Sequence, residues 1–522
     1  MNVFEKLNKE KYFLSTLLLL ALALRLIVFI KTGNHNADGM YRTILTLNWL
    51  KDPYFITEGL WPPLDLYLMA FMMEVWKDPL VSPRLINLVF GVLIIIPYYY
   101  LVKLLFDKRT AAISAILLTF WGLHIEFSSV SMSEIPFLFF LCTSLYFFFR
   151  FKKAAEKRLA YLVTSAIFLN LASMIRYEAW LFVPLLTIFI LNNITDVKST
   201  LYLKGEAAKY FFMFLIISLV FPVFWMIGNY QSHRDFFFSQ TWTHDFIKTN
   251  AALYPGSPLN PQSPFKKLIS WPSMLFQNLG VISVFAGLGL IISLLPRKKN
   301  LEFLTIFLVL MMTFTYKIFN FTMTPQVRYI LLPSLFLIPY FTVGLDCILK
   351  PLRKNWRKAA TITLILYFII PSSYTAIVKN PYTTPGYVLG VSNWLSTNVK
   401  PGEKVILDEY SWWGLHILVY SGFNTTFIED YLTTLEFVTD QVRIMPAGGR
   451  KINETNFISY LEDDKPLYIV YSPEGELADI LNLSSECRNE VRLNYVFECK
   501  YTTRNYNIYK LKPDSMQLRS DT

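Results

Sequence analysis

The sequence predicts an α-helical polytopic membrane protein followed by a small α/β domain, and three observations carry that prediction. The 522 residues are 54% apolar before their 20 glycines are counted and roughly 58% with them, while 17% are charged; soluble proteins run at about 45–50% and about 25%. Apolar residues gather in runs such as Phe13–Ile30, Val89–Phe106, Ile135–Phe149, Phe211–Ile227 and Phe303–Met312, at or near the ~20 residues that cross a bilayer. The formal charge of +11 also divides along the chain. Residues 1–378 hold 35 Lys and Arg against 19 Asp and Glu, net +16, whereas the remainder holds 14 against 19, net −5. The expected organisation is a multi-span membrane domain over 1–378 and a soluble domain over 379–522.

Eleven spans are expected, near 13–31, 84–106, 110–123, 135–150, 160–175, 179–192, 208–228, 274–296, 301–322, 329–349 and 359–378. With the N-terminus inside, the cytoplasmic connections hold 21 of the 35 basic residues in short segments. That asymmetry is the positive-inside rule, so the C-terminal domain is expected outside a cell membrane. The basic charge thus reports orientation. A net acidic tail offers no stripe for phosphates, and nucleic acid is excluded as a partner.

The outward segments carry the acids, which points to chemistry at the outer surface. The first long loop contains Asn34-His35-Asn36-Ala37-Asp38-Gly39-Met40-Tyr41-Arg42 and then Trp61-Pro62-Pro63-Leu64. Asp38 stands where an extended segment enters a helix, which suits either an N-cap or a carboxylate kept ionised by the helix start as a general base. Pro62-Pro63 starts an interfacial helix at Leu64. In the second loop, Ser133-Glu134-Ile135-Pro136 opens the fourth span, so Glu134 is either a first-turn acid or the lip of a cavity. Arg176-Tyr177-Glu178 joins two short spans almost without a loop, and isolated charges there must find partners. At i and i+2, Arg176 and Glu178 share no α-helical face and are expected to pair elsewhere. Arg328-Tyr329 presents another guanidinium beside an aromatic, suited either to phosphate or to interfacial anchoring. Arg25, inside the first span, is the remaining intramembrane cation.

Together these residues resemble the GT-C superfamily, and within it the protein O-mannosyltransferase and lipid A aminoarabinose transferase group, over about residues 12–378. The resemblance rests on an acid in a long first loop, a Pro-Pro-Leu stretch, an acid opening the fourth span, the Arg-Tyr-Glu-Ala-Trp turn, a late Arg-Tyr and an exterior C-terminal domain. It implies a GT-C-like helical membrane domain that transfers a sugar from a polyprenyl-phosphate donor. The acceptor would be a glycolipid, glycan or protein on the outer face, with membrane lipids around the enzyme and inversion at the anomeric carbon. Carried over residue by residue, Asp38 becomes the catalytic base and Glu134 the second acid. Arg328 and Tyr329 are implied at the carrier phosphate, with Arg176, Glu178, Tyr41 and Arg25 as further substrate-binding candidates. The family commonly shows Asp-Glu in the first loop, and here Gly39 takes the second place.

No cofactor is assigned. A divalent metal would draw on His35 and His124 beside the acids, although no tight His spacing marks a site. In the C-terminal domain, strands are expected at 404–407, 425–428, 468–471, 493–497 and 506–511, and helices at 388–395 and 412–420, an α/β pattern. Cys487 and Cys499 are close enough either to pair or to remain free, and sequons stand at Asn424, Asn453 and Asn482. The competing functional classes are a polytopic lipid or solute transporter, which predicts repeated halves and midplane charges, and a non-catalytic membrane receptor.

Overall fold

The computed structural model describes residues 3–33, 36–154, 156–194, 206–253, 261, 263–294, 300–380, 383–408, 413–426, 437–445, 454–475, 477–493 and 495–513. The chain forms two compact units. The first comprises Met1–Thr32, Tyr54–Val75 and Pro83–Pro381; the second comprises Gly33–Pro53, Trp76–Ser82 and Tyr382–Thr522. The expected division placed the whole first loop with the membrane domain. The structure instead groups two stretches around that loop with the C-terminal residues.

In chain order the helices are α1 (Val3–Lys31), α2 (Ala37–Lys51), α3 (Leu64–Val75), α4 (Ser82–Leu93), α5 (Ile95–Leu105), α6 (Lys108–Phe120) and α7 (Gly122–Phe127). They continue through α8 (Glu134–Lys153), α9 (Arg158–Ser173), α10 (Phe182–Ile194), α11 (Glu206–His233), α12 (Phe238–Leu253), α13 (Pro264–Leu279) and α14 (Val281–Leu294). The membrane part closes with α15 (Leu301–Phe319), α16 (Leu331–Leu337), α17 (Tyr340–Leu349) and α18 (Lys354–Val378). Each of the eleven expected spans coincides with one helix or a joined pair. Among the described residues, six helices are long and apolar enough to cross a bilayer, or seven if Val327–Leu337 and Tyr340–Leu349, bent by 58°, form one broken span. Shorter apolar helices such as Arg158–Ser173 and Val281–Leu294 account for much of the difference.

Boundaries follow local chemistry. Asp107 accepts the N–H groups of Arg109 and Thr110 and starts α6, and Ser263 followed by Pro264 starts α13, the side-chain cap and first-turn proline favoured at helix starts. At the helix ends assigned to the cytoplasmic side, Glu10 pairs with Lys103 and Lys108, Arg109 with Asp346 at 2.7 Å, and Lys152 with Glu302. Basic residues near the ends expected to face the cytoplasm thus join neighbouring helices there.

The second unit is a seven-stranded sheet of β1 (Val405–Asp408), β2 (Phe437–Val438), β3 (Val442–Met445), β4 (Tyr468–Tyr471), β5 (Glu490–Arg492), β6 (Tyr495–Thr502) and β7 (Asn507–Pro513) in the order β2-β3-β1-β4-β7-β6-β5. Only β3-β1-β4 run parallel, with Val405 opposite Val442 on one side and Tyr468 on the other. Alternate residues serve opposite cores: Val405 and Leu407 face a layer that includes α19 (Gly386–Asn398) and α20 (Gly414–Tyr420), while Ile406 faces α21 (Glu454–Asp464) and α22 (Ala478–Leu481). Covered on both faces, these strands read as continuous apolar runs. The strand at 468–471 lies where it was expected. The short strands β2 and β3 and helix α21 were not foreseen; the expected strand at 425–428 and the sequon at Asn453 reach residues outside those described. Cys487 and Cys499 are paired, with Cα atoms 5.5 Å apart.

In the membrane part, α14 and α17 cross at reciprocal glycines. A Cβ on Gly289 would fall 2.0 Å from the Tyr340 carbonyl oxygen, and one on Gly344 would fall 1.9 Å from that of Phe285. Small residues let membrane helices approach this closely. Gly344→Val should therefore force the helices apart and lower the melting temperature in detergent by the equivalent of about 1–3 kcal/mol of overpacking. Gly287→Ala, with open space around the new methyl, should leave it unchanged; equal effects would refute the glycine contact.

Candidate active site

Four charged side chains meet at the start of α8, and each is placed by its local backbone. Glu134 is the first residue of α8. Arg176 precedes a 3-10 turn, Tyr177–Leu181, and Arg328 lies in a second, Val327–Ile330. Tyr177 fixes the first turn from the other side: its hydroxyl accepts from Trp225 at 2.8 Å and donates to the Leu60 carbonyl at 3.3 Å. The Leu64 N–H at the start of α3 donates to the Met174 carbonyl, 2.9 Å away. The Pro-Pro-Leu stretch and the Arg-Tyr-Glu turn are thereby tied together.

Arg176 donates to both oxygens of Glu178, at 2.8 and 3.2 Å, to Glu134 Oε1 at 2.7 Å and to Ser133 Oγ at 3.0 Å. The expectation that Arg176 and Glu178 pair elsewhere is corrected. Arg176 has an extended backbone, φ −146° and ψ 141°, so α-helical spacing does not govern the two residues. Ser133, the residue before α8, makes no cap bond and accepts from Arg176 instead. Arg328 Nε stands 3.7 Å from Glu134 Oε1. The Tyr329 ring lies beside both guanidiniums, 5.4 Å from Arg176 and 5.2 Å from Arg328. These side chains are only 4–13% exposed. Burial alone would raise the Glu178 carboxyl, but the charge and hydrogen bonds of Arg176, with Lys317 of α15 beyond, hold it down at about 2.

The cluster lines a narrow cavity, about 230 Å³ with its solvent-open part included, whose remaining walls include Phe137, Leu138, Phe314, Leu331 and Leu332. Glu134 Oε2 is buried there without a hydrogen-bond partner among the described residues. The cavity lining balances two guanidiniums against two carboxylates, and Lys317 of α15, which does not line it, adds a cation within electrostatic reach of Glu178. Such a site favours an anion whose other end is apolar.

The remaining candidates fall elsewhere. Arg25 is fully buried and donates to Ser128 Oγ, the Ala21 and Thr119 carbonyls and His124 Nδ1 at 2.7 Å. It holds the second loop instead of facing the cavity. Because a guanidinium only donates, His124 Nδ1 is the acceptor. Burial and the Arg25 charge push the His124 ring well below its ordinary pKa, so it is neutral, and a metal at this ring would meet the guanidinium charge. His35 lies outside the described residues, and among those described no group of three or more His, Cys, Asp or Glu could hold a metal. Asp38 and Tyr41 belong to the second unit, on α2. The cap of α2 is Asn36, whose side chain accepts from Asp38 N at 3.0 Å and Gly39 N at 3.4 Å; Asp38 itself, half-buried in the first turn, is not the cap. Tyr41 packs on Phe437 with ring centroids 5.5 Å apart, so core packing and not substrate occupies it.

Asp65 and Glu126 are among the buried carboxyls that escaped the sequence-based expectation. Asp65, 2% exposed, opens α3; its signal was its place right after Pro62-Pro63-Leu64. Glu126, in the short helix α7 outside the spans, is pushed up to about 7 by burial, and nothing in its neighbours along the sequence marks it.

Comparisons with known proteins bear on the fold and on part of the sequence. A family model described as dolichyl-phosphate-mannose-protein mannosyltransferase matches residues 61–226, a stretch that begins after Asp38, includes Glu134, Arg176 and Glu178, and ends before Arg328. In fold, and in this match over about a third of the chain, the protein resembles the GT-C glycosyltransferases and within them the protein O-mannosyltransferase and lipid A aminoarabinose transferase group. Among solved structures, ArnT from Cupriavidus metallidurans bound to undecaprenyl phosphate aligns with TM-score 0.60 and 12% identity over 95% of this chain and 97% of that one. The oligosaccharyltransferase of Archaeoglobus fulgidus, tethered with an acceptor peptide, aligns with TM-score 0.55 and 13% identity over 89% and 69%. No curated protein sequence is close enough to match.

Arg176→Ala should leave Glu134 and Glu178 buried without their shared cation and cost about 3–5 kcal/mol, whereas Arg176→Lys should recover only part because the two-pronged contact is lost. Thermal unfolding in detergent measures both, and full stability in Arg176→Ala would refute the ionic cluster. For Glu126, the folded protein keeps its proton to about pH 7 while an ordinary carboxyl releases it near 4.5. The unfolded chain then binds fewer protons in that window, so stability falls as pH rises from about 4.5 to 7. The melting temperature of the wild type should decline more steeply across that window than that of Glu126→Gln; parallel slopes would show that the carboxyl is not held protonated.

Proposed function

We propose that this membrane glycosyltransferase moves a sugar from a polyprenyl-phosphate carrier to an acceptor hydroxyl of a glycolipid, glycan or protein on the outer membrane face. The observation that carries the reading is the cavity lined by Arg328, Arg176, Glu134 and Glu178 at one end and by Phe137, Leu138 and Phe314 along its walls. A phosphate esterified to an apolar chain has the matching character. Two structural neighbours, one bound to undecaprenyl phosphate and one in complex with a dolichol-phosphate, support the same class of carrier.

In this reading Arg328 supplies the principal contact to the carrier phosphate. Arg176 is already bonded on both sides, so it contributes charge and holds Glu134 and Glu178 in place. As negative charge develops on the departing phosphate, fixed cations in a low-dielectric pocket stabilise it without reorganisation. Asp38 takes the proton from the acceptor hydroxyl in a single displacement that inverts the anomeric carbon. The assignment of Asp38 rests on its likeness to the first-loop acid of the family and on its ionisable first-turn position. General-base assistance is worth about 10²–10⁴-fold.

Purified protein should transfer a labelled sugar from a polyprenyl-phosphate donor. Asp38→Asn should lower kcat by about 10²-fold or more with donor KM unchanged, and Arg328→Ala should raise donor KM at least tenfold with partial recovery in Arg328→Lys. Turnover at the wild-type rate in Asp38→Asn would remove it from the base role. Cysteines introduced between residues 400 and 500 should be labelled in intact cells by an impermeant reagent; protection there would overturn the outward orientation.

A further inference from the structure

The helix that carries Asp38 is a structural part of the C-terminal α/β unit, although more than 300 residues separate them in sequence. Helix α2 buries Met40 and Ile44, both fully inaccessible, in the same core as Val391 and Leu395 of α19, Ile417 and Leu418 of α20, and the inner face of the sheet. The Tyr41 ring meets Phe437 of β2, which is itself buried. At the far end, Lys51 Nζ donates to Asn424 Oδ1 and to Thr426 Oγ1, both at 2.7 Å, and Thr425 Oγ1 donates to Asn48 Oδ1 at 3.2 Å. At the near end, Gly33 approaches Thr384 so closely that a Cβ would lie 1.8 Å from its hydroxyl oxygen. Thr384 in turn meets the Tyr420 hydroxyl at 3.1 Å. The helix is therefore gripped at its approach, its middle and its end, while Asp38 stands in its first turn, half-buried and with Asn36 performing the cap.

We infer that the C-terminal unit is the positioning platform of the catalytic base, with Tyr41, Ile44 and Lys51 as positioning residues that act through Asp38. This rests on the assignment of Asp38 as the base. It gives the unit a part in catalysis itself, because a general base must be held within hydrogen-bond reach of the proton it takes. Displacement by about 1 Å can cost about 10²-fold in rate. The polar end contact is the most telling part. Lys51, Asn424 and Thr426 are exposed, contribute little to the core, and yet meet the last turn of the helix that carries the acid.

The test is a double-mutant cycle in sugar transfer by the full-length protein. Lys51→Met and Phe437→Leu should each lower kcat, about tenfold for the pair, with donor KM unchanged. Lys51→Arg, which keeps a donor in place, should restore most of the loss. In an Asp38→Asn background the same changes should have no further effect, since a base that is absent cannot be misplaced. Loss of equal size in both backgrounds, or no loss in the wild-type background, would overturn the positioning role while leaving Asp38 as the base. If Asp38→Asn alone left turnover intact, the base assignment itself would fall and the platform role with it. Lys51→Met changes an exposed side chain, so the cycle stays readable even if Phe437→Leu lowers the yield of folded protein; circular dichroism of each variant checks this.

Discussion

A guanidinium in the low-dielectric part of a membrane protein has to be satisfied on every side, and Arg176 dictates much of what surrounds it. Its five donors demand acceptors: two come from Glu178 two residues later, one from Glu134 across the bundle and one from Ser133. To supply the first pair the chain must turn tightly after an extended residue, which explains the 3-10 segment at Tyr177 instead of a continuous helix. To supply the others, α8 must begin at Glu134 and give up the cap that Ser133 would have provided. The backbone of the neighbouring loop is then set by further buried donors. Arg84 holds the Ser129 and Phe29 carbonyls, and Asn87 reaches those of Val130 and Met132. Irregular backbone near a membrane is tolerated where protein groups satisfy it, and this loop meets that condition with arginine and asparagine side chains.

The same arrangement separates two kinds of arginine that look alike in a sequence. Arg25 and Arg84 spend their donors on carbonyls, a hydroxyl and a neutral imidazole, so they are scaffold. Arg176 and Arg328 face carboxylates at a cavity. Only the second pair lines a cavity that a ligand could enter.

How much of this was legible in the sequence depended on the range of the interactions. Spans were readable because a bilayer imposes length and apolarity on each run alone. Glu134, Arg176, Glu178, Arg328 and Tyr329 were singled out because charges at span ends are costly, but their pairing was not. The i, i+2 argument assumed α-helical geometry where the backbone is extended. Asp38 was correctly placed at a helix start, and its role as cap went to Asn36 two residues earlier because Asn there already presented its amide oxygen to two N–H groups. Arg25 and His124 misled because nothing local announces that they satisfy each other. Tyr41 misled for a like reason, since its ring partner Phe437 lies almost 400 positions away. In the C-terminal unit the buried parallel strands β1 and β4 were found from their apolar runs, whereas β3, interrupted by Arg443, was not. The two-residue β2 and the largely polar α21 carry too little periodicity to register.

The long-range construction of the C-terminal unit also has a consequence in time. Helix α2 is made with Met40 and Ile44 on a face that has no partner until α19, about 340 residues further along the chain, is made. At synthesis rates of about 5–20 residues per second, that interval is roughly 20–70 s. Throughout it a short amphipathic helix lies between two membrane segments with its apolar side uncovered. The bilayer interface is the natural shelter for such a helix. Only when α19 and the sheet exist does its apolar side gain the cover it has in the folded unit, so the acid at its head takes its final place long after its own helix is made.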